Sequence, residues 1–180
     1  MSVRTQKENW DLFYSTLAPV AGEKILDVGA GKGAIANRVL QRTKGAEVYA
    51  VDPNGKRVAS MRRDYPAVKS SVAGAESLPF PDSFFDKAYT TMALHHYADL
   101  GKALQELKRI LKPGGGFVIV EVDPASAQGR AFRFFGRLSG EHMNLMSEDQ
   151  LRSRLGVEDG LRVVSSAKMK SGYIVHAVRA

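Results

Sequence analysis

Ile25-Leu26-Asp27-Val28-Gly29-Ala30-Gly31-Lys32-Gly33 joins a short apolar run to three glycines on alternate residues. Ile25, Leu26 and Val28 suit an interior parallel strand, and Ile35, Ala36 and Val39 carry apolar spacing of three and four into a helix. Strand, glycine turn and helix are therefore consecutive. Glycines permit positive φ and leave no Cβ between backbone and ligand, and the helix that follows begins with free N–H groups. Such a loop is expected to receive an adenosine-containing molecule.

Two readings of the loop compete. Gly29, Gly31 and Ala34 satisfy the G-x-G-x-x-G/A dinucleotide pattern, and Asp52 closes a second strand, Glu47 to Val51, where a ribose-binding acid is expected, so an NAD site is one of them. Against it, Asp27 stands two residues before the first glycine. The whole then reads acid-x-Gly-x-Gly-x-Gly, which resembles motif I of the class I S-adenosylmethionine (SAM) methyltransferases.

Composition narrows the classes. The chain has 180 residues, 44% of them hydrophobic, enough to bury one core, and residues 1–180 are expected to form a single domain. No apolar run is long enough for a bilayer span, and Arg4, Lys7, Glu8 and Asp11 stand where a signal peptide would be apolar. These features predict a soluble, cytoplasmic protein. The absence of cysteine excludes disulfides, zinc-cysteine sites and a cysteine nucleophile. A net charge of +7 suits an anionic partner, nucleic acid included, or simply a basic soluble surface.

Outward from the loop, strands and helices alternate. Ser2 to Ala18 is an aromatic helix with Trp10, Phe13 and Leu17 on one stripe, expected to pack over the domain as a lid (residues 1–22), with Tyr14 a candidate cofactor contact. After Asp52 and Pro53, a helix is expected over 55–64 with Lys56, Arg57, Arg62 and Arg63 on a solvated face, then a third strand over 68–72. A turn-rich stretch from Gly74 to Asp86 leads to a fourth strand, 87–92, and to Ala93-Leu94-His95-His96-Tyr97. Asp99 is placed to cap a helix over 100–111, Lys112 to Gly116 to end it, and Phe117 to Val122 to form a fifth strand. Residues 124–146 break the rhythm: Arg130, Arg133 and Arg137 interleave with Phe132, Phe134, Phe135 and Leu138 as an expected cap. Ser147 with Gln150 is a capping box, and Leu161 to Met169 and Tyr173 to Val178 are two strands of a hairpin. The fold class expected is α/β, a Rossmann-like three-layer sandwich with a seven-stranded, mostly parallel sheet ending in an antiparallel hairpin.

With these elements laid out, the chain resembles class I SAM-dependent methyltransferases, and among them the subgroup of ubiquinone/menaquinone-type C-methyltransferases. The resemblance rests on Leu26 to Gly33, on Val51-Asp52, on Ala75 to Asp82 with Phe85-Asp86, and on Ala93-Leu94-His95-His96 through Leu107, Arg109 and Lys112-Pro113-Gly114-Gly115. It implies SAM as cofactor and S-adenosylhomocysteine as product. Carried over residue by residue, it implies Gly29, Ala30, Gly31 and Gly33 at the methionine part, with Asp27 holding the loop or the amino group through water. It implies Asp52, followed by Pro53, on the ribose hydroxyls, since a carboxylate accepts two bonds from vicinal hydroxyls. Ala75, with Glu76, would meet adenine, and Thr91 and Met92 would approach the methionine end by their backbone. One position departs: Gly74 stands where many relatives carry an aspartate for the adenine amino group.

Methyl transfer is an in-line displacement, so a protein base is needed only for a protonated acceptor. His95, His96 and Glu121 are the candidates, with an architectural role for the histidines left open. His95, His96 and Asp99 lack further ligands, so no metal is expected. A small or lipid-like acceptor under the aromatic cap is the leading expectation. A nucleic-acid or protein acceptor, or a SAM-binding regulatory subunit, stands as the alternative.

Overall fold

A computed structural model describes residues 3–139, 143–157 and 160–180. Ser2 of the expected first helix, residues 140–142 of the expected cap and the Arg137 side chain lie outside what is described. The helices are α1 (Val3–Leu17), α2 (Ala34–Arg42), α3 (Gly55–Asp64), α4 (Leu100–Ile110), α5 (Ala127–Ser139) and α6 (Glu148–Val157). The strands are β1 (Lys24–Val28), β2 (Glu47–Asp52), β3 (Lys69–Val72), β4 (Phe85–Thr91), β5 (Leu111–Val122), β6 (Leu161–Lys168) and β7 (Gly172–Arg179).

They build one seven-stranded sheet in the order β3-β2-β1-β4-β5-β7-β6. The β3-to-β5 portion is parallel, and β7 lies antiparallel between β5 and β6, as the sequence pattern predicts. From β1 the chain steps outward to β2 and β3, then returns to place β4 on β1's other side. The loops after β1 and β4 thus part in opposite directions, and that divergence opens a crevice at the strands' carboxyl ends.

Alternation along the strands assigns the two faces. Leu26 and Val28 of β1, with Phe117 and Ile119 of β5, join a cluster completed by Leu104 and Leu107 of α4 and Leu151 and Leu155 of α6. Ile25, Val48, Ala50 and Val118 point the other way, against Trp10, Phe13 and Leu17 of α1, Val39 of α2 and Met61 of α3. The α1 stripe is therefore core packing, as its spacing implied.

The caps follow the sequence closely. Asp99 accepts from the Lys102 N–H at 3.1 Å, and Ser147 and Gln150 bond reciprocally, backbone N–H to side-chain oxygen, at 3.3 and 2.9 Å. One segment departs from expectation. Lys112 to Gly116 is not a connector but part of β5: Leu111 pairs with Phe85 and Gly116 with Lys87, so β5 spends five steps where β4 spends two. Gly114, at φ 76°, supplies the turn of this bulge, and a Cβ on Gly115 would stand 2.8 Å from the Lys112 carbonyl.

Candidate functional site

The three glycines of the first loop do different jobs. A Cβ on Gly29 would lie 2.5 Å from the Ala93 Cβ, and one on Gly33 would lie 2.4 Å from Met61 Cγ; both sites are filled by protein. Gly31, at φ 58°, has no heavy atom within 4 Å of that position. Of the three glycines, it alone borders open space. The loop is held to its neighbour because Gly29 and Ala30 both donate to the Val51 carbonyl at 2.9 Å.

Asp52 joins the two strand ends. Its Oδ2 accepts from the Gly31 N–H and its Oδ1 from the Asn54 N–H, each at 2.9 Å, while the Arg57 guanidinium stands 3.8 Å from Oδ2. A carboxylate offers about four lone-pair directions, so two such bonds leave room for more. Asp27 differs. It is wholly buried and neither oxygen has a hydrogen-bond partner; the nearby Tyr89 hydroxyl does not complete a bond. Burial pushes the Asp27 carboxyl up to about 7; the Tyr89 hydroxyl opposes this and the negative charge of Asp52 adds to it.

The Gly74 to Asp86 stretch is clamped from α4. Arg109 donates to the Phe80 and Leu78 carbonyls at 2.7 and 3.0 Å and to Asp82 at 2.8 Å, and Glu106 accepts from the Leu78 N–H at 2.7 Å. The Arg109 guanidinium in turn holds the Glu106 carboxyl below its usual range. Arg109 was legible only as part of a motif; its clamp role needed the fold. Glu76 is held by one of its two oxygens. Its Oε1 turns to the start of α4, accepting from Ala98 and Asp99 N–H at 2.8 and 3.3 Å. Oε2 lies 2.9 Å from where a Gly74 Cβ would be, so the missing side chain at 74 makes room for it.

Beyond β4, Met92 sits at φ 55° and donates to the Val120 carbonyl at 2.8 Å. Leu94 to His96 form a 3-10 turn locked by Glu121, whose Oε1 accepts from the Leu94 N–H at 3.0 Å and whose Oε2 stands 2.8 Å from His95 Nδ1. His95 and Glu121 are both buried; His96, with its ring centroid 4.3 Å from that of His95, is exposed. The structure thus joins two of the three base candidates and leaves the third at the surface. Among the described residues no group of three histidine, aspartate or glutamate side chains is placed to hold a metal.

A cavity of about 390 Å³ opens beside this point, lined by Trp10, Phe13, Arg38, Met92, Glu121 and Gln128 among others. Arg38 lies 3.9 Å over the Trp10 ring. Arg38 carries no signal in the sequence, since its meeting with Trp10 depends on how α1 crosses α2. Tyr14 does not reach the crevice. Its hydroxyl bonds Thr43 Oγ1 at 2.7 Å, just past the end of α2, where the chain turns toward the start of β2. The cap expectation also needs correction. Only Phe132 turns inward, its ring centroid 6.2 Å from that of His95, while Phe134 and Phe135 are 61% and 63% exposed.

The open corner at Gly31 and the unpartnered Asp27 carboxylate fit a ligand bearing a cationic or N–H group. A family profile described as "Methyltransferase domain" matches residues 26–119, more than half of the chain. A demethylmenaquinone methyltransferase of Thermus thermophilus is 37% identical over 121 residues, 64% of this chain and 55% of that protein. A ubiquinone/menaquinone biosynthesis C-methyltransferase of Chromobacterium violaceum is 34% identical over 118 residues, 62% of this chain and 48% of its own. In fold, an S-adenosylmethionine dependent methyltransferase from Mesorhizobium loti aligns with TM-score 0.80 at 20% identity, over 95% of this chain and 97% of that one. The chain belongs to the methyltransferase family, of the class that depends on SAM. It spans about half the length of the curated relatives it matches.

Proposed function

We propose that the chain transfers a methyl group from SAM to a small or lipid-like acceptor held in the cavity between α1 and the carboxyl ends of β4 and β5. The observation that carries this reading is the position of that cavity: its largely apolar wall of Trp10, Phe13, Ile35 and Val120 meets Thr91 and Met92, at the edge of the glycine-loop crevice. The quinone-type relatives, by their names, support an apolar acceptor.

Bound SAM supplies an electrophilic methyl on a sulfonium sulfur. The chain's own residues do the positioning. Gly31 admits the ligand to the backbone, Asp52 takes the ribose hydroxyls on its remaining lone pairs, and Asp27 holds the loop or meets the cationic amino group through water. Ala75 backs the adenine, with Glu76 Oε2 standing in for the carboxylate that position 74 lacks. Aligning acceptor and methyl and excluding water is the main work. Glu121 borders the cavity while its Oε2 meets His95 Nδ1, so the pair receives the proton of an acceptor that arrives protonated.

Calorimetric titration with SAM and S-adenosylhomocysteine tests the cofactor reading, with NAD as control. Micromolar binding of both, absent for NAD and weakened about tenfold or more in Asp52→Ala by loss of charge-assisted bonds, is expected. Transfer of labelled methyl to a quinol then tests the acceptor class. Absence of SAM binding overturns the cofactor reading. Binding with transfer only to RNA or protein overturns the acceptor.

A further inference from the structure

The helix that begins at the cavity presents a second surface that methyl transfer does not use. Gln128, in the first turn of α5, lines the cavity. Farther along, Gly129 and Gly136 are buried and Phe132 is half-buried, so these residues mark the packed side. Gly129 sets the close approach: a Cβ there would lie 2.2 Å from the Asp123 carbonyl. On the other side stand Ala131, Phe134, Phe135 and Leu138, all exposed, with Leu138 at 71%. At 3.6 residues per turn these four fall within a sector of about 100°, with Arg130 about 40° beyond Phe134 and Arg133 about 100° beyond it, toward the packed side. Phe134 and Phe135 pack edge to face on each other, centroids 5.6 Å apart. Arg130 is tethered to the Ala125 carbonyl, and it and Arg133 remain exposed.

Three large apolar side chains on one stripe of a single helix exceed the scattered exposure usual on a protein surface. Their margin decides the occupant. An apolar stripe edged by arginines, on a chain of net charge +7, complements a surface with negative headgroups above an apolar layer. No helix among the described residues is long and apolar enough to cross a membrane, so contact through α5 is lateral. We propose that α5 lies in the interface of an anionic lipid bilayer, Phe134, Phe135 and Leu138 inserted and Arg130 and Arg133 at the headgroups. This does not rest on the methyl-transfer reading.

Sedimentation of the full chain with large unilamellar vesicles tests it, using phosphatidylcholine alone and an equal mixture with phosphatidylglycerol. Binding about tenfold stronger to the anionic vesicles, and falling with added salt, is expected. Phe134→Ser/Phe135→Ser/Leu138→Ser is expected to lose at least about tenfold, with its thermal melt and elution volume unchanged. Arg130→Gln/Arg133→Gln is expected to weaken binding to anionic vesicles and leave phosphatidylcholine binding unchanged. Equal binding to both compositions, or undiminished binding by the triple variant, overturns the proposal. So does a triple variant that becomes monomeric where the wild type is a dimer, which would assign the face to a second copy.

Discussion

The carboxyl ends of β1 and β5 each bury one carboxylate, and they treat it in opposite ways. Glu121 spends both oxygens within the protein, on the Leu94 N–H and on His95 Nδ1. Asp27 is buried as completely and spends neither. Burial alone thus does not mark a ligand group. A partnered carboxylate builds the loop around it, whereas Asp27 carries a desolvation cost that the nearby Tyr89 hydroxyl relieves only in part. The β5 end holds a fully bonded carboxylate beside a cavity; the β1 end holds a buried carboxyl without a hydrogen-bond partner.

The largest expected effect breaks the β5 end. Glu121→Ala strands the Leu94 N–H and the His95 ring, both buried, and each polar group left unsatisfied costs about 1–3 kcal/mol. Urea unfolding should show that loss, and Glu121→Gln, which keeps an acceptor oxygen, should recover part of it. A cost for Glu121→Ala under about 1 kcal/mol, the scale of an ordinary solvated contact, would sink the contrast drawn between the two ends.

Next in size is a gain of stability at the β1 end. Unfolded, Asp27 loses its proton near 3.8; folded, it holds it to about 7. Below about pH 4 both states are protonated and nothing is lost. As pH rises the unfolded chain releases its proton first, so stability falls until the folded carboxyl also ionises near 7, then levels. At 1.36 kcal/mol per unit the whole loss is no more than about 4 kcal/mol. Asp27→Asn removes the titration, so the variant should match wild type near pH 4 and exceed it by up to about 4 kcal/mol at pH 8, while binding SAM more weakly. Thermal melts across that range, paired with calorimetry, check both halves. A variant that is no more stable at pH 8 would mean that Asp27 is satisfied after all.

How much of this was legible in the chain depends on whether the signal was local. The glycine loop, the capping box at Ser147 and Gln150 and the strand alternation are written within a few residues, and the fold kept them. The pairing of His95 with Glu121 joins residues 26 apart, and each appeared only as a separate candidate base. Lys112 to Gly116 reads as a connector because glycine and proline punctuate chains; its place in β5 depends on the β4 backbone opposite. On α5 the apolar period was plain, but period does not say which way a stripe turns, so Phe134 and Phe135 were expected over the acceptor and stand outside.

The smallest expected effect lies at the C-terminal end of α2 and serves as the control for both ends. Tyr14 shares with Glu121 the property that separates Glu121 from Asp27: its polar atom has a partner, Thr43 Oγ1 at 2.7 Å. The Arg42 guanidinium lies 4.2 Å over its ring, and a phenylalanine there would keep that contact. Tyr14→Phe therefore removes one part-buried hydrogen bond and little else, a loss of about 1 kcal/mol. Because the bond ties α1 to the C-terminal end of α2, far from Gly31, SAM affinity should be unchanged. If Tyr14→Phe instead weakened SAM binding tenfold with its melt intact, the hydroxyl would have to leave Thr43 for the ligand, and α1 would have to move toward the crevice when it binds.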